Sequence, residues 1–170
     1  IEVGEGMRDD FVVGPMINRT GLEKVSSLVE SARLRGANIV LGGRTHGLGG
    51  LFYEPTIVTG LDDDAEMART EIFGPVFAIY RFRTEAEVIE RANATEYGLV
   101  SYGYTRDLGR SFRLSRAIEA GMVILNSGSV GTASVPFGGV KQSGYGREGS
   151  FYGIEEYVDV KYVLMSGLDR

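Results

Sequence analysis

Leu22, Val25, Leu28, Val29 and Ala32 recur at helical spacing with polar residues between them, which predicts one apolar helix face. Thr20 and Glu23 stand ahead of this stripe as a capping-box pair, and Gly36 stands where a helix ends. The apolar run at 38–41 predicts a short buried strand, followed by a Gly-rich turn at 42–50 that holds His46. Residues 51–59 read as extended; Pro55 among them predicts an edge or bent strand, because proline brings no N–H to a ladder. Asp62, Asp63 and Asp64 form an acidic turn leading into a helical stretch at 65–69, where the helix dipole favours negative charge. They do not read as a calcium loop, since Ala65, Met67 and Ala68 supply no further oxygen ligands.

From Val76 the alternation becomes regular. Residues 76–82 predict a strand, and Thr84 with Glu87 opens a helix whose apolar face carries Val88, Ile89 and Ala92. Residues 100–104 predict the next strand. Asp107 caps a third helix bearing Leu108, Phe112, Leu114, Ala117 and Ile118, with Gly121 at its end, and 122–125 is an all-apolar strand. Strand, helix, strand, helix, strand predicts an α/β fold: a parallel open sheet with helices on both faces. Ligands in such sheets bind beyond the carboxyl ends of the strands. The Gly-rich segment 126–149 follows the strand at 122–125, so it is the favoured ligand-facing loop. In the tail, Ser150 is positioned to cap a short helix through Tyr157. A strand at 158–165 follows, with Val158, Val160, Tyr162 and Leu164 on one face, and it has no hairpin partner nearby.

Bulk composition narrows the chemistry. The 170 residues, 43% apolar and 24% charged, suit one globular domain, and the net charge of −5 counts against nucleic acid. No cysteine is present, which excludes disulfides, thiolate metal ligation and thiol catalysis within this chain. His46 alone cannot build a multi-histidine metal site, and no run reads as a membrane span or secretory leader. The opening Ile-Glu-Val-Gly predicts a chain that is part of a longer one.

Two phosphate-binding patterns are present in letters only. Gly144-Tyr-Gly146-Arg-Glu-Gly149 matches the dinucleotide fingerprint, but the polar stretch 140–143 ahead of it is no buried strand. The Gly139 to Gly144 spacing resembles a phosphate loop, yet Tyr145 and Gly146 replace the required Lys and Ser/Thr.

Glu71-Ile-Phe-Gly-Pro75 and Pro136-Phe-Gly-Gly-Val-Lys-Gln-Ser-Gly-Tyr-Gly-Arg-Glu148 resemble two signature segments of the NAD(P)-dependent aldehyde dehydrogenase superfamily. Gly14-Pro15, Gly42-Gly43, Tyr53-Glu-Pro-Thr56, the stretch 93–99 and Asn126 extend the resemblance over nearly the whole chain. The ending Tyr152-Gly-Ile-Glu-Glu-Tyr-Val-Asp-Val-Lys-Tyr is most similar to the succinate-semialdehyde dehydrogenase branch. The resemblance implies that 1–149 is part of the catalytic domain and 150–170 a helix plus oligomerisation strand, pairing subunits into a dimer or tetramer. It implies a cytoplasmic oxidoreductase that uses NAD or NADP, with no nucleic-acid or membrane partner. The aldehyde is oxidised through a cysteine thioester, and both that cysteine and the general-base glutamate precede this chain. No catalytic or metal-binding residue is therefore expected here, and the 170 residues alone should be inactive.

By the same resemblance Glu71 would hold the nicotinamide-side ribose and Phe73 would pack against that end of the cofactor. Ser129, Val130, Gly131 and Phe137 would line the aldehyde tunnel, with Thr132 beside them. Gly131 stands where the succinate-semialdehyde branch carries a carboxylate-binding serine. The expected substrate is a semialdehyde such as succinic semialdehyde, with an aromatic or aliphatic aldehyde as the alternative. A further alternative is an inert fragment that acts only as an oligomerisation or interaction module.

Overall fold

The computed structural model describes residues 1–7, 12–129 and 132–169. Length alone suggests one domain, but two compact units divide the chain, Ile1–Arg81 and Phe82–Arg170.

The first unit is built on helix α1 (Arg19–Leu34), whose stripe of Leu22, Val25, Leu28, Val29 and Ala32 is buried as the spacing predicts. Its cap differs from the expectation. Asn18, extended at φ −161°, accepts the Gly21 N–H at 2.8 Å, so the helix starts earlier and Thr20 and Glu23 lie exposed in its first turns. Gly36 ends it as expected, at φ +86°: its N–H reaches Arg33 O and that of Ala37 reaches Ala32 O, the paired bonds of a Schellman motif.

Strands β1 (Asn38–Leu41) and β2 (Thr56–Thr59), short helix α2 (Glu66–Arg69) and strand β3 (Val76–Ile79) complete this unit. The sheet order is β1-β2-β3, antiparallel at the first pair and parallel at the second. Two expectations are corrected here. β1 is an exposed edge strand, not a buried one, with Val40 and Leu41 more than half exposed. β2 is central, not an edge; Pro55 stands one residue ahead of it, so no rung is lost, and Thr56 N–H already donates to Pro75 O at 2.8 Å. Tyr53, Val58, Met67 and Val76 close the core over α1. Arg69 holds Asp64 at 2.7 Å, so the acidic turn is tied to the end of its own short helix.

In the second unit, helix α3 (Glu85–Asn93) is capped by Thr84, which accepts the Glu87 N–H at 3.1 Å, while Glu87 accepts the Arg83 N–H at 2.8 Å. Strands β4 (Tyr97–Gly98) and β5 (Val100–Gly103) follow, then helix α4 (Leu108–Ala117), capped by Asp107 through the Arg110 N–H. Strand β6 (Met122–Leu125) runs parallel to β5, with Val100 opposite Met122 and Gly103 opposite Leu125. Strand β7 (Val140–Lys141) pairs antiparallel with β4.

α4 ends at Ala117 because Ile118 is already extended, so Gly121 is no helix terminator. A Cβ there would collide with the Gly138 carbonyl and lie 2.8 Å from Gly139 Cα. Its glycine serves backbone contact between β6 and the Gly-rich segment.

The α/β class stands, with parallel pairs at β2–β3 and β5–β6, and the described strands are distributed over three small sheets. A 3-10 turn at Tyr152–Tyr157 replaces the expected tail helix, and the Ser150 hydroxyl accepts the Tyr152 N–H at 3.2 Å. Residues 158–165 pair with no strand among the described residues, and Val160, Tyr162 and Leu164 are exposed. No described helix is long and apolar enough to cross a membrane.

Candidate functional site

The turn between α2 and β3 carries Glu71 and Phe73. Lys24 Nζ donates to the Glu71 carbonyl at 2.9 Å, and Ile72 packs against the core. Gly74 presses on α1 so closely that a Cβ would lie 2.6 Å from Val25 Cγ2. With both neighbours held inward, the chain at Phe73 adopts φ +51° and the ring is 73% exposed. Left-handed backbone at a bulky residue is strained, and such strain concentrates at ligand sites. Phe73 is therefore no core residue. The Glu71 carboxylate is exposed, and no hydrogen bond among the described residues engages it. An ionised carboxylate is acceptor-only, suited to a pair of donating hydroxyls.

The second segment leaves the carboxyl end of β6. Asn126, at φ +58°, exchanges two side-chain hydrogen bonds with the backbone of Thr105, each 2.8 Å. Tyr104, Thr105, Arg106 and Asn126 line an open groove beside it. Ser129 N–H donates to the Ser127 hydroxyl at 3.2 Å, and Thr132 and Ser134 hydroxyls meet at 2.7 Å. Val130 and Gly131 lie outside the described residues. Phe137 is half-buried and exchanges both backbone hydrogen bonds with Glu148, at 2.8 and 2.9 Å, while Ser150 N–H donates to Ala133 O at 2.9 Å. The described part of the segment is thus tied at Asn126, Ala133 and Phe137.

Beyond Phe137 the segment is packed onto its own unit. Arg147 Nη1 donates to the carbonyls of Gly139 and Gly146, at 2.8 and 2.6 Å. Ser143 Oγ accepts the Gly98 N–H at 3.0 Å. Lys141, at φ +56°, pairs with Glu119 at 2.6 Å and donates to Asn93 O and Thr95 O at 2.9 and 3.2 Å. It places a cation at the C-terminal end of α3, on the carbonyl of its last residue and one just beyond, where the helix dipole favours one. The Gly144 to Gly149 pattern runs into a 3-10 turn, and Gly146 abuts the Glu156 carboxylate, an arrangement with no room for a phosphate on that face.

Elsewhere, His46 Nδ1 accepts the Leu48 N–H at 3.3 Å, a bond internal to its own turn. Among the described residues no three His, Cys, Asp or Glu side chains group to hold a metal. Glu85 of α3 is gripped by Arg113 and Arg110 of α4, whose hydrogen bonds hold its carboxyl down at about 2. Burial pushes the Tyr53 hydroxyl above its ordinary value.

The Asn126 clamp and the Lys141 pin escape a reading of the sequence, because their partners lie more than 20 and up to 48 residues away. An asparagine directly after an all-apolar strand is the one available signal, since asparagine enters left-handed backbone more readily than most residues.

Residues 1–163 match the model of the aldehyde dehydrogenase family. The chain is 46% identical over 170 residues to the 3-sulfolactaldehyde dehydrogenase of Pseudomonas putida, covering 100% of this chain and 35% of that protein. It is 43% identical over 165 residues to the NADP(+) succinate-semialdehyde dehydrogenase of Escherichia coli, covering 97% and 34%. A crystal structure of Staphylococcus aureus betaine aldehyde dehydrogenase in complex with NAD+ superimposes with a TM-score of 0.93 at 35% identity, covering 100% of this chain and 35% of that one. The chain spans about a third of the length of the curated relatives it matches.

Proposed function

This chain belongs to the aldehyde dehydrogenase family, and we propose that in a longer protein it forms part of an NAD(P)-dependent oxidoreductase that converts an aldehyde to a carboxylic acid. The observation that carries the cofactor side of this reading is Phe73, a strained and exposed aromatic two residues along the same turn from the unengaged Glu71 carboxylate. Ring and carboxylate fit the nicotinamide end of NAD or NADP: Glu71 would accept from ribose hydroxyls, and Phe73 would cover an apolar face. The bound dinucleotide supplies the hydride acceptor. What this chain's residues do is hold and orient it, and the strain at Phe73 keeps the ring available before the ligand arrives.

Ser129, Val130, Gly131 and Phe137 are proposed to line the aldehyde tunnel, with a semialdehyde such as succinic semialdehyde as substrate. Relatives named for 3-sulfolactaldehyde and succinate semialdehyde support an aldehyde with an anionic far end. With no cysteine among its 170 residues, the chain supplies no thiol nucleophile and by itself is expected to be inactive. We assign 1–149 to the catalytic domain and 150–170 to an arm whose exposed Val160, Tyr162 and Leu164 would pair with another subunit, in a cytoplasmic homo-oligomer.

Assay of the full-length protein tests this: succinic semialdehyde and benzaldehyde, each with NAD+ and with NADP+, followed by nicotinamide absorbance. Oxidation of either aldehyde supports the reading, and preference for the semialdehyde supports the substrate. Turnover of neither aldehyde with either dinucleotide would remove it.

A further inference from the structure

In a parallel ladder, a residue's N–H bonds across to one residue of the neighbouring strand, and its own C=O receives the N–H two residues further on. Asn126 obeys the first half, donating to Gly103 O at 2.8 Å. The next rung should join its backbone carbonyl to the N–H of Thr105. That N–H instead donates to Asn126 Oδ1, and Asn126 Nδ2 donates to the Thr105 carbonyl, both at 2.8 Å. Meanwhile the Asn126 backbone has turned to φ +58° and left the sheet. The side-chain amide carries one donor and one acceptor, as a peptide group does, and takes the place of the missing rung. β5 is satisfied to its end while the main chain departs.

We propose that Asn126 is a specificity-determining positioning residue: its amide closes the β5–β6 ladder and so aims residues 127–129 off the sheet toward the aldehyde. This rests on the reading that Ser129 and Phe137 shape the tunnel. No other side chain meets all the requirements. Aspartate lacks the donor and sets a carboxylate against the Thr105 carbonyl, glutamine is a methylene too long, and glycine accepts the φ but has no amide.

The test compares the full-length protein with its Asn126→Asp and Asn126→Gly variants. Two readouts are taken: amide hydrogen exchange at 127–129 and 132–135, and kcat and KM for succinic semialdehyde and benzaldehyde. Loss of the paired bonds is expected to speed exchange in that loop roughly tenfold. The selectivity ratio between the two aldehydes should shift by a similar factor, through KM more than kcat. Activity with an unchanged ratio in both variants overturns the proposal. Should the wild-type protein oxidise neither aldehyde, the functional reading fails on its own, and exchange decides the positioning: faster loop exchange upholds it, unchanged exchange overturns it. Failure of both variants to fold would also overturn it, because the amide would then be holding the sheet together instead of aiming the loop.

Discussion

Glu85 at the start of α3 and Arg113 on α4 form a hydrogen-bonded ion pair, Nη2 to Oε2 at 2.9 Å, with Arg110 joining from one turn earlier at 3.0 Å. The two guanidiniums hold the carboxyl at about 2 against an ordinary 4.5. A carboxylate with a lowered folded-state value stabilises above its unfolded value and loses that contribution as pH falls through the folded one. The tie should therefore be intact above pH 4.5 and released on approach to about 2. An NMR titration of the Glu85 carboxyl checks this, and Arg113→Ala should move its midpoint upward. A wild-type midpoint at the ordinary value would show that the pair is not maintained.

Phe73→Gly is expected to raise stability while weakening the cofactor. Glycine occupies φ +51° without strain, so the midpoint of a urea melt should rise by the equivalent of about 0.5–1 kcal/mol. In the full-length protein the same change should raise KM for the dinucleotide, as should Glu71→Gln. A drop in stability would refute the strain, and an unaltered KM in both variants would refute the cofactor contact.

Gly121 and Gly128 should respond very differently to alanine. At Gly121 the new methyl meets the Gly138 carbonyl and Gly139 Cα, an overpacking expected to cost at least about 2 kcal/mol. At Gly128 the nearest neighbour is the Tyr104 hydroxyl at 3.6 Å, so the change should stay within about 0.5 kcal/mol. Equal effects in denaturant melts would contradict the packing described for β6.

Lys141→Met removes the Glu119 pair and two hydrogen bonds to carbonyls near the end of α3. The ammonium is partly exposed, so solvent screening limits the expected loss to about 1–2 kcal/mol. Thermal melts at low and high salt separate the two contributions: the ion-pair share shrinks with salt, and the hydrogen-bond share persists.

The α1 stripe was legible because a helix face is periodic in sequence, and each of its five apolar positions is buried. Its cap was less so: Asn18 and Thr20 are both competent acceptors, and the choice depends on which residue is extended. β1 is exposed although its letters predict burial, because exposure depends on a neighbour on its far side, and sequence carries no record of that. On α4, Leu108 and Phe112 share the predicted apolar face yet are exposed, for the same reason. Glu71 and Phe73 stood out through their surrounding letters, but the left-handed backbone at Phe73 did not, since phenylalanine is the wrong residue to suggest it.

The register of β1 against β2 slips between Ile39 and Leu41. Its outer edge therefore offers no evenly spaced row of amides and carbonyls for a second molecule to copy. Such interruptions are how sheet proteins keep their edges from templating fibrils. With Val40 and Leu41 exposed on that edge, restoring a regular strand there would convert a harmless border into an adhesive one.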